Sequence, residues 1–217
     1  HCISSAASDV YKRQDLIIGY ILENTNRIKV GAGGVMLPNH TPFQVAERYG
    51  TLETLYPERI DLGIGRAPGT DIETAKLIYR DTYKEDKFKE AIRTLLSYFE
   101  EEAENFNVRP YPGVGTHVPV YILGSSMTSA HIAAQLGLPY SFAGHFSPNT
   151  VEVALKIYRE EFTPSKYLDK PYVMLGVSAN AAYEKDAAEH IKQQAISIFL
   201  QIQNRNNRDA FLKADPN

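Results

Sequence analysis

Residues 27–66, RIKVGAGGVMLPNHTPFQVAERYGTLETLYPERIDLGIGR, decide the fold. Residues 28–37 are apolar on both faces of an extended chain and end at Pro38, which predicts a strand buried on both sides. Residues 60–64 predict a second buried strand, which closes on a glycine and an arginine. The sequence therefore places two buried strands at the two ends of this stretch.

One amphipathic helix is predicted between the two strands. Thr41 supplies an N-cap and Pro42 the first helical position, and apolar residues then recur near a 3.6-residue period as far as Leu55. The two strand starts are about thirty residues apart, which is the length of a βαβ unit. A βαβ unit implies that the two strands are parallel.

The rest of the chain repeats this alternation of strand and helix. Further strands are predicted at 118–123, 140–143 and 172–179, and further helices at 15–22, 72–80, 88–102, 127–136, 150–162 and 184–204. Such alternation predicts a parallel α/β sheet with right-handed crossovers, either doubly wound or closed into a barrel.

A barrel is favoured over a doubly wound dinucleotide fold. The glycines at 31–33 are followed by Met36 where a third glycine belongs, and those at 63–65 reach their next glycine at Gly69, one position late. Barrel active sites are built at the carboxyl ends of the strands, and polar or glycine residues gather there in this chain. These strand ends are 38–40, 65–66, 124–126 and 145.

Composition limits the classes of partner. The chain has 217 residues, 43% of them hydrophobic, and 23 basic against 26 acidic residues, so one sizeable core and no nucleic-acid partner are expected. No apolar run approaches the roughly 18 residues of a membrane helix. Cys2 is the only cysteine, and no histidines and carboxylates show ligand spacing, so no metal site is predicted. We expect a cytoplasmic protein, with the acidic run at 100–104 on a solvated face.

The first fourteen residues, HCISSAASDVYKRQ, differ from everything after them. They lack the periodicity, caps and apolar content of the following sequence, and they contain no start methionine. We expect residues 1–14 to be a non-native or artefactual leader. Residues 15–217 are then the barrel domain.

Three separated segments carry a family resemblance: VGAGGVMLP at 30–38, ETLYPERIDLGIGRAPGTD at 53–71, and VPVYILGSSMTSAHIAAQLGLPYSFAGHF at 118–146. In order and spacing they resemble the bacterial luciferase-like family of flavin-dependent monooxygenases, in its uncharacterised bacterial branch. The resemblance implies a (β/α)8 TIM barrel of the luciferase-like type, incomplete here, with strands three to seven present. It further implies a fragment at both ends, inactive by itself.

The resemblance also implies a chemistry for the intact parent. Reduced FMN and O2 would oxidise a small organic substrate, with the reduced flavin supplied by a separate flavin reductase, since the chain shows no nicotinamide fingerprint. A homodimer is one option for the parent. The alternatives are a non-catalytic flavin-binding protein of the same fold and an oxidoreductase that uses the deazaflavin F420.

Four residues are candidates for the flavin phosphate. Arg66 offers a planar forked donor at a strand end, although a surface ion pair with Asp71 is the alternative. Ser125, Ser126 and Ser129 stand at the start of a predicted helix, where an anion is favoured, although they could serve only as helix caps. The resemblance places the family's phosphate-binding arginine and strand-five turn at these positions.

Five further residues are candidates for the ring and the substrate. The resemblance places Ala32, Gly33 and Gly34 beneath the flavin ring, because small residues let a ring approach the backbone, and packing inside a barrel is the alternative. His40 and His145 follow strands and are candidates for a substrate pocket. The family's catalytic histidine region follows its second strand, so no catalytic residue is predicted in this chain.

Overall fold

The computed structural model describes residues 14–67, 85–179 and 181–214. The chain divides into two compact units, residues 1–176 and residues 177–217. The predicted helix at 72–80 and residues 1–13 of the predicted leader lie outside the described residues.

The first unit is built on a five-stranded parallel sheet. Its strands are β1 Val30–Met36, β2 Ile60–Gly65, β3 Val120–Gly124, β4 Tyr140–Ala143 and β5 Val173–Gly176. Each strand pairs with the next one along the chain, so the spatial order equals the sequence order. A doubly wound sheet reverses its strand order partway, and a barrel does not. The prediction of an incomplete (β/α) barrel is therefore confirmed.

Helices alternate with the strands, as predicted. They are α1 Gln14–Glu23, α2 Pro42–Leu55, α3 Glu85–Tyr98, α4 Met127–Leu136 and α5 Val151–Glu161. Single turns of 3-10 helix occupy Leu37–Asn39, Glu101–Asn105 and Pro148–Thr150. Where the second unit is described, it forms one helix, α6 Lys185–Ala214.

Local capping explains where α2 begins. Thr41 and Gln44 form a capping box, in which the Gln44 N–H donates to the Thr41 hydroxyl at 3.2 Å and the Gln44 side chain accepts from the Thr41 N–H at 3.5 Å. Helix α4 ends at Gly137, which has a φ of 60°. These boundaries were predicted because caps depend on residues that are neighbours in sequence.

The core lies on the outer face of the sheet, beneath the helices. Alternate strand residues point to that face, and each of them is at most 4% exposed to solvent: Leu62, Ile64, Val120, Ile122, Tyr140 and Phe142. The residues between them, such as Asp61, Tyr121 and Ser141, face inward and are only half-buried. The helices therefore cover one face of the sheet, and the face that would line a barrel interior is partly open.

Several predicted boundaries were wrong. The strand at 172–179 ends at Gly176, because that residue pairs with Ala143, the last residue of β4. The helix at 88–102 begins at Glu85 and ends at Tyr98, before the acidic run whose like charges disfavour a regular helix. Helix α6 continues past 204 because the sequence has no glycine or proline until Pro216.

The last residue of the predicted leader lies in the first helix. Gln14 is the first residue of α1, and its side-chain amide donates to the Gly34 carbonyl at 3.4 Å. Residue 14 therefore belongs to the packed helix that precedes β1. The apolar contacts of the next turns, through Ile18 and Leu22, hold this helix on the core.

Candidate functional site

A cleft of about 310 Å³ opens at the carboxyl ends of the first four strands. Five of the seven predicted cofactor residues line it: Gly33, Arg66, Ser125, Ser126 and Ser129. Apolar side chains that the sequence analysis did not assign to a site form much of the remaining wall: Met36, Phe88, Leu123, Ile132 and Phe146. An apolar wall with a few convergent polar groups is typical of a small-molecule site.

Arg66 follows β2 directly and is half-buried in the cleft wall. Among the described residues, no carboxylate lies within ion-pair distance of its guanidinium. Asp71, the alternative partner considered above, lies outside the described residues. The arrangement presents a positive, forked donor to the cleft, which suits a phosphate or carboxylate.

The serines of the β3–α4 turn cap the helix and line the cleft at once. Ser126 is the N-cap of α4, and its side-chain oxygen accepts from the Ser129 N–H at 3.3 Å. The Ser129 hydroxyl donates to the Ser126 carbonyl at 2.6 Å. The interpretation as helix caps is therefore correct for both residues, and it is compatible with their place on the cleft. The start of a helix carries unpaired N–H groups and partial positive charge, which favour an anion.

Tyr140 supports this turn from below, and the sequence analysis missed it. The tyrosine is the first residue of β4 and is fully buried, with its hydroxyl 2.9 Å from the Ser129 Oγ and 3.2 Å from the Ser126 carbonyl. Burial raises the pKa of Tyr140 to about 12, so the hydroxyl stays protonated near neutral pH. A buried tyrosine needs a hydrogen-bond partner for its hydroxyl. That requirement was the one feature of the sequence that could have pointed to Tyr140.

The three small residues of β1 have different surroundings. A Cβ placed on Gly33 would meet no atom within 4 Å, whereas one on Gly34 would lie 2.7 Å from the Gly63 carbonyl. Ala32 is buried in the core. The peptide bond between Gly33 and Gly34 is cis, and the register of β1 against β2 shifts between Ala32 and Val35. Only Gly33 lines the cleft, while Gly34 is small because the neighbouring strand is close.

The two candidate histidines lie outside the lining of this cleft. The Nδ1 atom of His40 is 3.3 Å from an Arg48 guanidinium nitrogen. His145 is exposed, and its ring centroid is 4.2 Å from that of Phe146, which does line the cleft. The structure thus places His145 beside the cleft and His40 against α2.

Within residues 14–67, 85–179 and 181–214, no group of three or more histidine, cysteine, aspartate or glutamate residues could hold a metal ion. Over the same ranges, no helix combines the length and apolar character that a membrane span requires.

The sequence profile of the luciferase-like monooxygenases matches residues 16–215. The chain belongs to this family. An uncharacterised protein of Bacillus subtilis, YddN, is 50% identical over 191 residues, which are 88% of this chain and 56% of the relative. A luciferase-like monooxygenase of Escherichia coli K12 is 45% identical over 201 residues, which are 92% of this chain and 58% of the relative.

The chain therefore spans somewhat more than half the length of these family members. Among solved structures, apo-MsnO8 matches with a TM-score of 0.69 and 32% identity, over 75% of this chain and 48% of that one. More distant matches share the fold. The oxygenating constituent of 3,6-diketocamphane monooxygenase from Pseudomonas putida, solved with FMN, has a TM-score of 0.53 and 18% identity, over 74% of this chain and 52% of that one. An F420-dependent tetrahydromethanopterin reductase from Methanopyrus kandleri has a TM-score of 0.60 and 16% identity, over 80% of this chain and 56% of that one.

Proposed function

We propose that this chain carries the cofactor cleft of an FMN-dependent monooxygenase, which uses reduced FMN and O2 to oxidise a small organic substrate. The observation that carries the proposal is the convergence of Arg66 and the N-terminal turn of α4 on one cleft, beside the open backbone of Gly33. Membership of a monooxygenase family supports the reaction class.

Each wall of the cleft has a part in this proposal. The Arg66 guanidinium and the turn at Ser125 and Ser126 would hold the phosphate, since both offer donors to a doubly charged anion. The isoalloxazine ring would lie against Gly33, where no side chain blocks its approach. Bound reduced FMN supplies the electrons with which O2 is activated.

The apolar wall would contribute by excluding water. Met36 and Phe88 are nearly inaccessible to solvent, and Phe146 stands exposed at the margin of the cleft. A dry site limits side reactions with water and strengthens every polar contact made inside it. We therefore assign the ring and substrate to the apolar side of the cleft, away from the phosphate-binding turn.

FMN is preferred to F420 as the cofactor. The Escherichia coli relative, which is named a monooxygenase, is 45% identical to this chain, whereas the F420-dependent reductase shares only the fold, at 16% identity. The reduced flavin would come from a separate reductase, because the sequence has no nicotinamide fingerprint.

The phosphate assignment is tested with Arg66→Ala in the full-length protein, meaning the natural chain that contains these residues. Loss of a charge-assisted bond should weaken FMN binding by about 1.5–3 kcal/mol and leave riboflavin, which lacks the phosphate, nearly unchanged. Flavin fluorescence titration measures both affinities. Arg109→Ala is the matched control, because Arg109 is exposed and, among the described residues, its side chain donates only to the Tyr111 hydroxyl, at 3.3 Å. Equal losses for FMN and riboflavin would contradict the assignment.

A further inference from the structure

The hydroxyl of Tyr140 meets the two serines that line the cleft, and this contact has a use beyond packing. We propose that Tyr140 is a positioning residue for the cofactor phosphate: its hydroxyl donates to the Ser126 carbonyl, so that the single Ser129 proton is available to an anion in the cleft. This inference rests on the proposed function, since it names a residue that tunes the same phosphate site.

Counting protons shows why a second donor matters. A serine hydroxyl has one proton, and the Ser129 hydroxyl donates it to the Ser126 carbonyl at 2.6 Å. If Ser129 donated to a phosphate instead, that carbonyl would lose its shortest hydrogen bond and keep a longer one from the Ala130 N–H, at 3.4 Å, which costs free energy in a partly buried site. The Tyr140 hydroxyl is 3.2 Å from the same carbonyl and can donate to it. Tyr140 thereby removes the penalty for turning the Ser129 proton toward the cleft.

The tyrosine is rigid enough to act in this way. Its ring is fully buried and lies against two other aromatic rings, with centroids 6.0 Å from Phe142 and 5.3 Å from Tyr158. The backbone of Tyr140 is held in the sheet between Ile122 of β3 and Val173 of β5. A donor that is held in place gives up little conformational freedom when it changes partner.

Tyr158 provides the comparison for a purely structural role. It is equally buried, and its hydroxyl donates to the Leu138 carbonyl at 2.9 Å and accepts from the Tyr172 N–H at 3.2 Å. Neither Leu138 nor Tyr172 lines the cleft. Both tyrosines are therefore buried and bonded to neighbouring loops or turns, but only Tyr140 bonds to residues that would touch the phosphate.

The test compares four variants of the full-length protein: Tyr140→Phe, Ser129→Ala, the double variant, and Tyr158→Phe as the control. Affinities for FMN and riboflavin are measured by fluorescence titration, and folding is followed by thermal unfolding. Tyr140→Phe should weaken FMN binding about 3–10-fold, which is the effect of one hydrogen bond, and change riboflavin binding less than twofold. Tyr158→Phe should lower the melting temperature to a similar extent and leave the ratio of the two affinities unchanged.

The double variant tests the route through Ser129. If Tyr140 acts by freeing the Ser129 proton, Tyr140→Phe should have no further effect on FMN binding once Ser129 is alanine. Additive losses, an unchanged FMN affinity in Tyr140→Phe, or equal losses for FMN and riboflavin would each overturn the inference. The wild-type protein separates the two hypotheses: if it does not prefer FMN to riboflavin, the proposed phosphate site itself is wrong and the role of Tyr140 falls with it.

Discussion

Glu100 is much less exposed to solvent than the acidic run to which it belongs would suggest. The run at 100–104 predicted a solvated face, and Glu101 is indeed exposed, but only 13% of the Glu100 side chain is accessible to water. Its carboxylate lies 3.0 Å from the Lys166 ammonium and 3.7 Å from the His117 ring. Glu100 therefore links the end of α3 to the loop after α5, and the prediction for this residue was wrong.

A pH dependence follows from this link. Burial by itself would raise the pKa of Glu100, but the Lys166 ammonium, the Tyr167 hydroxyl and His117 favour the carboxylate, and together they lower the pKa below its ordinary value. A lowered folded-state pKa stabilises the fold above the unfolded-state pKa and loses that effect as the pH falls through the folded value. Glu100→Gln should cost up to about 1 kcal/mol at pH 7 and less below about pH 4.

Urea unfolding of the full-length protein at several pH values measures this. Glu101→Gln is the matched control, since Glu101 is the next residue, the first of the 3-10 helix that follows Glu100, and it is exposed. The prediction fails if Glu100→Gln and Glu101→Gln give parallel stability profiles between pH 7 and 3.

At the scale of elements, Arg59 joins the connection between α1 and β1 to the start of β2. Its guanidinium donates to the Leu22 carbonyl at 3.3 Å, to the Thr25 carbonyl at 2.7 Å, to the Thr25 hydroxyl at 2.7 Å and to the Ile28 carbonyl at 2.9 Å. Leu22 lies in the last turn of α1, where a cation is favoured by the helix dipole. One side chain thus donates to three backbone carbonyls, of which the Leu22 carbonyl also accepts from the Thr25 N–H at 3.3 Å.

Removing that guanidinium should loosen the junction. Arg59→Met keeps an apolar stem of similar length but removes the donor to the Thr25 and Ile28 carbonyls, whereas the Leu22 carbonyl keeps the Thr25 N–H at 3.3 Å. We expect a loss of about 1.5–3 kcal/mol in the free energy of unfolding of the full-length protein. Arg109→Met, which removes one exposed contact, should cost less than about 0.5 kcal/mol. Urea unfolding compares the two variants, and similar losses would show that Arg59 contributes no more than a surface arginine.

At the scale of the whole molecule, the sheet has two unpaired edges. Among the described residues, β1 pairs only with β2 and β5 only with β4. Both edge strands are uncharged, VGAGGVM and VMLG, and Met174 and Leu175 of β5 are each nearly half exposed. Unpaired apolar edges favour pairing with other chains, whereas a closed barrel has none.

We therefore expect residues 1–217, expressed alone, to aggregate or to lack a cooperative transition, and to bind flavin weakly or not at all. The comparison is a chimera in which residues 16–215 replace the matching segment of the Escherichia coli relative, so that the relative supplies the rest of the barrel. The chimera should be soluble, unfold cooperatively and bind FMN. Size-exclusion chromatography with calorimetry distinguishes the two, and a soluble monomer of residues 1–217 with bound flavin would contradict the expectation.

The sequence by itself determined the elements, their alternation and the positions at which chemistry can occur. Strand and helix patterns, the Thr41 cap and the Gly137 stop depend on neighbours within a few residues, so they can be recognised without a structure. Because the strands are parallel, their carboxyl ends share one edge of the sheet. That rule placed Arg66 and the turn at 125–129 at the same edge of the sheet, and the family resemblance then selected them as candidates for the phosphate.

Only the tertiary structure decided how individual side chains are used. Gly33 and Gly34 are identical in sequence terms, yet one borders open space and the other touches β2. The partners of Tyr140, Arg59 and Glu100 lie from about ten to more than sixty residues away along the chain. Such contacts depend on how helices and loops pack over the sheet, and no local pattern encodes a partner that the fold brings close.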